Sequence, residues 1–185
     1  MRRLLVLAAI AVLALSGCGN KHEYTHVAET EGVYVDVGGL TYQVQMSRFL
    51  NPGDIEDRQY LMGLPEGIPK ELPGDEIWFG VWMRVKNYSG ETLRPTNEFT
   101  IVDTEGNEFR PVPLNVEANP FVYEPIDLLH SQVLPTPDSA AASGPIQGSL
   151  ILFRLKTDSL QNRPLRFEIE QGGADTPTGE IDLDL

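Results

Sequence analysis

Apolar and polar residues alternate along much of this chain, and the alternation predicts β-strands. Valines stand at positions 33, 35 and 37, and apolar residues occupy every second position over 40–46 and 77–85. A period of two is typical of a strand with one buried face. Turn-forming residues, Gly38-Gly39 and the sequence 87–90, follow the first and third of these segments. We therefore expect three strands in this part of the chain.

The downstream sequence predicts further strands. They lie at 99–102, 108–112, 149–156, 165–170 and 181–185. The first two flank the turn-forming residues 103–107, which indicates a β-hairpin with a short loop. In the last of them, Asp182 and Asp184 alternate with apolar residues. These acids are expected to protect an exposed strand edge from pairing with another chain.

The remaining sequence predicts loops rather than helices. Residues 111–145 are rich in proline, asparagine and small side chains, so we expect loops there with one short strand at 121–123. No long amphipathic helix is expected beyond the first seventeen residues. Seven to nine strands without such a helix predict an all-β fold, in which two antiparallel sheets pack face to face.

The amino terminus has the layout of a secretory signal. Arg2 and Arg3 precede an apolar run, residues 4–15, that is too short to span a bilayer. The sequence Leu-Ser-Gly-Cys at 15–18 resembles the bacterial lipobox, whose cysteine receives diacylglycerol before the signal is removed. Cys18 is the only cysteine of the chain. The resemblance implies cleavage after residue 17 and a membrane anchor of two or three acyl chains on Cys18, enough for stable attachment.

Composition sets the expected organisation of the rest. Residues 18–31 are polar without apolar periodicity, so we expect a flexible tether there, followed by one domain at 32–185. The formal net charge is −13, and removal of a signal that holds two arginines and no acid makes it more negative. Such a charge argues against nucleic acid or anionic headgroups as partners.

One strand carries two tryptophans on the face opposite its predicted core face. Trp78 and Trp82 flank Gly80, and Arg84 follows on the same face. Exposed, the indoles would form a stacking platform for a sugar ring or an aromatic side chain. Alternatively, the long proline- and glycine-rich segment 51–75 folds across this face and covers them with its apolar residues, which is the alternative we favour. The apolar residues expected to cover the indoles are Tyr60, Leu61, Met62 and Leu64.

Three segments of this chain resemble a known group of domains. Residues 78–87, 98–109 with their Asp-Thr-Glu-Gly-Asn turn, and 148–153 resemble immunoglobulin-like domains of unknown function in bacterial secreted lipoproteins. The sandwich of the mycobacterial immunoprotective extracellular protein is similar. The resemblance spans roughly residues 40–171 and implies an immunoglobulin-like sandwich. Its motifs are strands and turns, so it implies no catalytic residue.

Residues able to perform chemistry are few. Among three histidines only His130 lies in the predicted domain, where we expect a loop residue bonded to backbone or water. His22 and His26 have the spacing of metal ligands on a helix, but no helix is expected there. The acidic sequence 54–57 departs from the calcium-loop pattern. We therefore predict no catalytic residue, no metal site and no cofactor.

Three functions are compatible with this sequence. The favoured one is a non-enzymatic binding or structural module of the cell envelope, anchored through Cys18 on the extracytoplasmic face of a membrane. It would bind another envelope protein or an extracellular ligand through its loops. The second is a carbohydrate-binding module that stacks wall glycan on Trp78 and Trp82, with Arg84 beside them. The third is a hydrolase of unrecognised type, which would require activity dependent on His130.

Overall fold

The computed structural model describes residues 25–172 and 176–184. The predicted signal peptide, Cys18, His22 and Leu185 lie outside the described residues. In chain order the elements are β1 (Val27–Ala28), β2 (Tyr34–Val37), β3 (Leu40–Leu50), α1 (Ile55–Arg58), β4 (Glu76–Asn87), β5 (Glu98–Val102), β6 (Glu108–Phe109), β7 (Val133–Leu134), α2 (Ala140–Ser143), β8 (Ser149–Lys156), a 3-10 turn (Thr157–Leu160), β9 (Leu165–Glu170) and β10 (Gly179–Leu183).

The strands form two five-stranded sheets. Sheet I has the order β1-β10-β9-β5-β6. Sheet II has the order β2-β3-β4, and both β7 and β8 pair with the edge of β4 that faces away from β3. All of these pairs are antiparallel except β1 with β10, which is parallel. The predicted all-β sandwich is confirmed, with ten strands in the described part of the chain instead of seven to nine.

The facing sides of the two sheets form the main core. Alternate residues of β4 from Phe79 to Val85 point into it, as their period of two predicts, and they are fully buried. The ring of Phe167 on sheet I packs edge-on against Phe153 on sheet II, with centroids 6.1 Å apart. Phe99 on the neighbouring strand of sheet I stacks on Phe167, with centroids 5.4 Å apart. The contact between Phe153 and Phe167 joins the two sheets across the core.

The side chains of β3 that point into the main core alternate in a different register before and after a bulge. This bulge, between Val44 and Met46, shifts the register of β3 against β4. Before the bulge Tyr42 and Val44 point into the main core, whereas after it Arg48 pairs with Gly80 on the opposite face of sheet II. The extra residue thereby turns a cation toward the face that carries the two tryptophans.

The described part of the predicted tether, residues 25–31, packs on the sandwich. Val27–Ala28 form β1 on the edge of β10, and Ala28 is buried in the main core. Further on, the Glu31 carboxylate accepts a hydrogen bond from the Ser47 backbone at 3.0 Å. The sandwich therefore begins by Thr25. A two-residue strand shows no periodicity, which explains why the sequence did not reveal it.

The other predicted elements are close to those observed. Strands β8 and β9 have the predicted bounds, and the hairpin around 103–107 joins β5 to β6. At 121–123 the expected strand is reduced to one bridge, between Val122 and Leu150. No helix within the described residues has the length and apolar character needed to cross a membrane.

Candidate functional site

Trp78 and Trp82 lie inside the protein. They are 1 % and 0 % exposed and belong to a second apolar cluster, on the face of sheet II that points away from the main core. The Trp78 indole donates a hydrogen bond to the Lys70 carbonyl oxygen at 2.6 Å. Tyr60 contacts Trp82 edge to face, with ring centroids 5.0 Å apart. The hypothesis of an exposed stacking platform for sugars is therefore wrong.

The segment 51–75 covers this face, as the favoured alternative predicted. We call the covering residues the cover; they are Tyr60, Leu61, Leu64, Ile68 and Leu72 from this segment, with Val112, Leu114, Phe121 and Ile146 from downstream. Met62 does not take part, because it is 43 % exposed. The predicted ligand residue Arg84 is half-buried on β4, opposite Gln43. It therefore has no accessible indole beside it with which to form a site.

Arg48 joins the cover to sheet II. Its guanidinium lies 5.5 Å from the centroid of the Trp82 ring and 6.0 Å from that of Tyr60. It forms an ion pair with the buried carboxylate of Asp57, which also accepts the Asn51 backbone N–H at 2.8 Å. Burial opposes the charge on Asp57, but these two hydrogen bonds outweigh it and lower the pKa of the carboxyl.

The acidic side chains of Asp54 and Asp57 are both bonded within the protein. Asp57 points inward to Arg48, and the Asp54 side chain caps α1 by accepting the Glu56 N–H at 2.7 Å. Both carboxylates therefore have structural partners. Within residues 25–172 and 176–184, no three His, Cys, Asp or Glu side chains converge as metal ligands would.

The two described histidines are bonded to the backbone. His130 is exposed, and its Nδ1 lies 2.7 Å from the Ser89 carbonyl oxygen. His26 lies 2.6 Å from the Asp36 carbonyl oxygen through its Nδ1. The loop role predicted for His130 agrees with this geometry.

A groove runs along the outer edge of β8. It has a volume of about 490 Å³, within the range of small-molecule and peptide sites. We call it the edge groove; its apolar lining includes Phe99, Val112, Leu114, Val116, Val122 and Leu150. A smaller hollow of about 190 Å³ adjoins it at Val116 and Val122. Together they form an elongated, mainly apolar depression beside one strand.

Backbone hydrogen bonds hold the groove walls against β8. Leu150 donates to the Phe121 carbonyl oxygen at 2.7 Å and accepts from the Tyr123 N–H at 2.8 Å. Val112 donates to the Leu152 carbonyl oxygen at 2.7 Å. Because three prolines also line the groove and restrict the backbone, its shape is set before any ligand arrives.

The groove wall is also tied to the cover. The buried Asn119 side chain donates to the carbonyl oxygens of Tyr60 and Met62 at 3.0 and 3.1 Å. Asn115 donates its N–H to the Gly63 carbonyl oxygen at 2.8 Å. Gly63 has a φ of +74°, and a Cβ there would stand 2.8 Å from the Asn115 carbonyl oxygen. The cover and the groove wall are therefore one connected structure.

Two buried tyrosines hold the lip of the groove at 96–98. The Tyr123 hydroxyl donates to the Thr96 carbonyl oxygen at 2.7 Å, and the Tyr42 hydroxyl accepts the Thr96 N–H at 3.1 Å. The Tyr42 hydroxyl in turn donates to the Gln171 side chain. Burial raises the pKa of both hydroxyls far above the ordinary value for tyrosine, so both stay protonated.

Charged side chains stand at the mouth of the groove. Glu98, Arg110 and Glu124 line it and are all exposed. Arg110 also faces Glu108 at 3.8 Å, a surface pair of little energetic weight. The combination of an apolar floor with charges of both signs at the rim is suited to an amphipathic ligand.

Sequence reasoning missed this site. Most of its residues lie in the segment 111–145, which we expected to be loops with one short strand at 121–123, although Phe99 and Leu150 lie in predicted strands. The available signal was the spacing of Val112, Leu114 and Val116, which alternate with Pro111 and Pro113 at the end of the predicted strand 108–112 and beyond it. Such alternation indicates an extended backbone that continues along the edge of a sheet. Its prolines prevent it from forming the regular hydrogen bonds of a strand.

The fold and site together define a two-sheet β-sandwich with one covered face and an apolar groove at its edge. No family model matches the chain, and no curated protein matches it. Among solved structures, it is similar to the yjhA protein from Bacillus subtilis, with 11 % identity and a TM-score of 0.56 over 84 % of this chain and 99 % of that one.

Two further structures are similar. A functionally unknown protein from Listeria monocytogenes EGD-e has 8 % identity and a TM-score of 0.51, with 85 % of each chain covered. An uncharacterized β-sandwich protein from Clostridium difficile 630 has 9 % identity and a TM-score of 0.41, over 90 % of this chain and 99 % of that one. At such identities the likeness of the first two shows the fold alone.

Proposed function

We propose that this protein is a non-enzymatic binding module, held on the extracytoplasmic face of a membrane by lipid on Cys18, and that it binds its ligand in the edge groove. The observation that carries the binding proposal is the groove itself, an apolar depression of about 490 Å³ whose walls are fixed by backbone hydrogen bonds. A preformed apolar site binds without a large ordering cost.

An extended peptide segment of another envelope protein is the ligand we favour. The groove and its adjoining hollow follow β8 from Leu152 back to Ser149, which is the shape of a strand-like segment. The charged residues at the rim, Glu98, Arg110 and Glu124, can pair with basic and with acidic side chains of a ligand. The lipobox supports the envelope location, since its cysteine would leave the sandwich outside the cytoplasm.

Binding of the neutral dye Nile red tests the groove. We expect it to bind the Cys18→Ala mature chain with increased emission, and Val116→Arg to weaken that binding at least fivefold by placing a charge in the apolar lining. Val33→Arg is the matched control, because Val33 is 40 % exposed against 42 % for Val116 and lies outside the groove. Equal dye affinity in both variants would contradict the proposed site.

Photocrosslinking in intact cells tests the nature of the ligand. A photoreactive residue at position 116 of the anchored protein is expected to give a discrete protein adduct, and the same residue at position 33 is not. Adducts of the same mass and yield at both positions, or none at position 116, would mean that the groove does not hold a protein segment.

A further inference from the structure

The lipid attachment proposed above limits which end of the sandwich can face the membrane. Seven residue steps separate Cys18 from Thr25, the first described residue. A fully extended chain of that length spans at most about 25 Å. The Thr25 end of the domain must therefore lie close to the bilayer surface.

Strand register identifies that end. Thr25 accepts the Asp36 N–H through its carbonyl oxygen at 2.7 Å. Asp36 pairs with Thr41 of β3, and Thr41 pairs with Lys86 of β4. Neighbouring strands lie about 4.8 Å apart, so the carboxyl end of β4 lies at the same end of the sandwich as Thr25, three strand spacings or about 14 Å to its side.

Two exposed apolar side chains project from this end. Tyr88, just after β4, is 52 % exposed, and Leu129 in the neighbouring loop is 55 % exposed. The two loops are joined because Ser131 donates its N–H to the Asn87 carbonyl oxygen at 2.8 Å. We call Tyr88 and Leu129, with Lys86, the anchor-end tip.

The chemistry of the tip suits a lipid headgroup region. The Lys86 ammonium lies 4.3 Å from the centroid of the Tyr88 ring. Tyrosine has an apolar ring with a polar end, and lysine extends its charge beyond an apolar stem, which is why both occur where membrane meets water. Leu129 adds a purely apolar side chain beside them.

We propose that the anchor-end tip contacts the membrane surface, so that the sandwich stands with Tyr88 and Leu129 among the headgroups and the 103–107 turn outermost. Two side chains alone would bind a bilayer weakly. Because the lipid on Cys18 keeps the tip within reach of the same bilayer, the contact becomes intramolecular and is favoured by a high effective concentration. This proposal rests on the proposed anchor.

Depth-dependent quenching tests it. The lipidated protein is placed in dioleoylphosphatidylcholine vesicles containing headgroup spin-labelled lipid, with an NBD fluorophore on Leu129→Cys. Cys18 is consumed by its thioether, so the introduced thiol is the only one. The matched control is Ile55→Cys, an apolar side chain 79 % exposed in α1, which follows the opposite end of β3.

We expect quenching of the probe at position 129 to exceed that at position 55 at least threefold. Equal quenching in protein that floats with the vesicles would overturn the orientation while leaving the anchor intact. Protein that does not float with the vesicles would instead overturn the anchor. The two failures are thus distinguishable.

A second variant tests the side-chain contact and not only the proximity of the loop. With the probe at Glu91→Cys, an exposed position on the same end, Leu129→Asp is expected to reduce lipid quenching at least twofold. The backbone of 129–132 is held by its own hydrogen bonds, so this surface change preserves the fold. Unchanged quenching would show that Leu129 makes no contact with lipid.

Discussion

Replacing Trp82 with alanine is expected to lower the free energy of unfolding by about 3–5 kcal/mol, the usual cost of removing a large buried aromatic side chain. Trp82 is 0 % exposed and contacts both Tyr60 and Arg48 of the covered face. Its removal leaves a cavity that Gly80 cannot fill. Urea unfolding of the Cys18→Ala mature chain measures the loss.

Two comparisons make this prediction specific to the cover. Met62→Ala in the same segment is expected to change stability by less than about 0.5 kcal/mol, because Met62 is exposed. Trp82 Nε1 is the buried side-chain donor in the described chain that has no partner, whereas Trp78 Nε1 is bonded to Lys70. Trp82→Phe should therefore cost about 1 kcal/mol less than Trp78→Phe. A loss for Trp82→Ala no larger than for Met62→Ala would contradict the buried position.

Replacing Asp103 with asparagine is expected to lower stability at pH 7 by about 1.5–3 kcal/mol, the range for hydrogen bonds to a charged group. The buried carboxylate accepts the N–H groups of Glu105 and Asn107 at 3.0 and 2.9 Å. It also accepts the side-chain amides of Asn107 and Asn162. An asparagine at this position would place its NH₂ group, a hydrogen-bond donor, against these N–H donors.

The same site gives a pH dependence. Burial opposes the charge on Asp103, but hydrogen bonds from Asn107, Ser159 and Asn162 outweigh it and lower the pKa to about 2. A folded-state pKa below the unfolded value of about 3.9 stabilises the folded chain above that pH. The stabilisation is lost as the pH falls from about 4 to 2.

Unfolding curves measured between pH 7 and pH 2 check this expectation. The deficit of Asp103→Asn relative to the parent chain should shrink as the pH falls, because protonation removes the advantage of the carboxylate. Glu105→Gln, an exposed change in the same turn, should leave the curve of the parent chain unaltered. A deficit independent of pH would contradict a charged, hydrogen-bonded Asp103.

The strands could be predicted from the sequence because a half-buried strand imposes its own period of two. Strand β9 shows it along its whole length, and β8 shows it over its second half. β1 did not, since two residues carry no period, and its parallel pairing with β10 depends on contacts distant in sequence. The acids of β10 were read as protection of an exposed edge, yet β1 covers that edge.

The covered face was predicted, whereas the groove was not. Trp78 and Trp82 needed apolar partners, and the segment 51–75 offered them. The groove instead arises where backbone bonds of Leu150 bring two proline-rich stretches to one strand edge. Backbone hydrogen bonds of this kind do not depend on the identity of the side chains, so the pattern of residues does not predict them. Lipidation of Cys18 and the extracytoplasmic location are still predictions.

Both the proposed envelope location and the proposed membrane-facing tip require lipid at Cys18. Intact-mass spectrometry of protein purified from membranes of its native host measures this directly. We expect a chain that begins at Cys18 and carries the added mass of a diacylglycerol thioether, with or without a third acyl chain. A chain that retains residues 1–17, or that has a free thiol at Cys18, would contradict the proposed function.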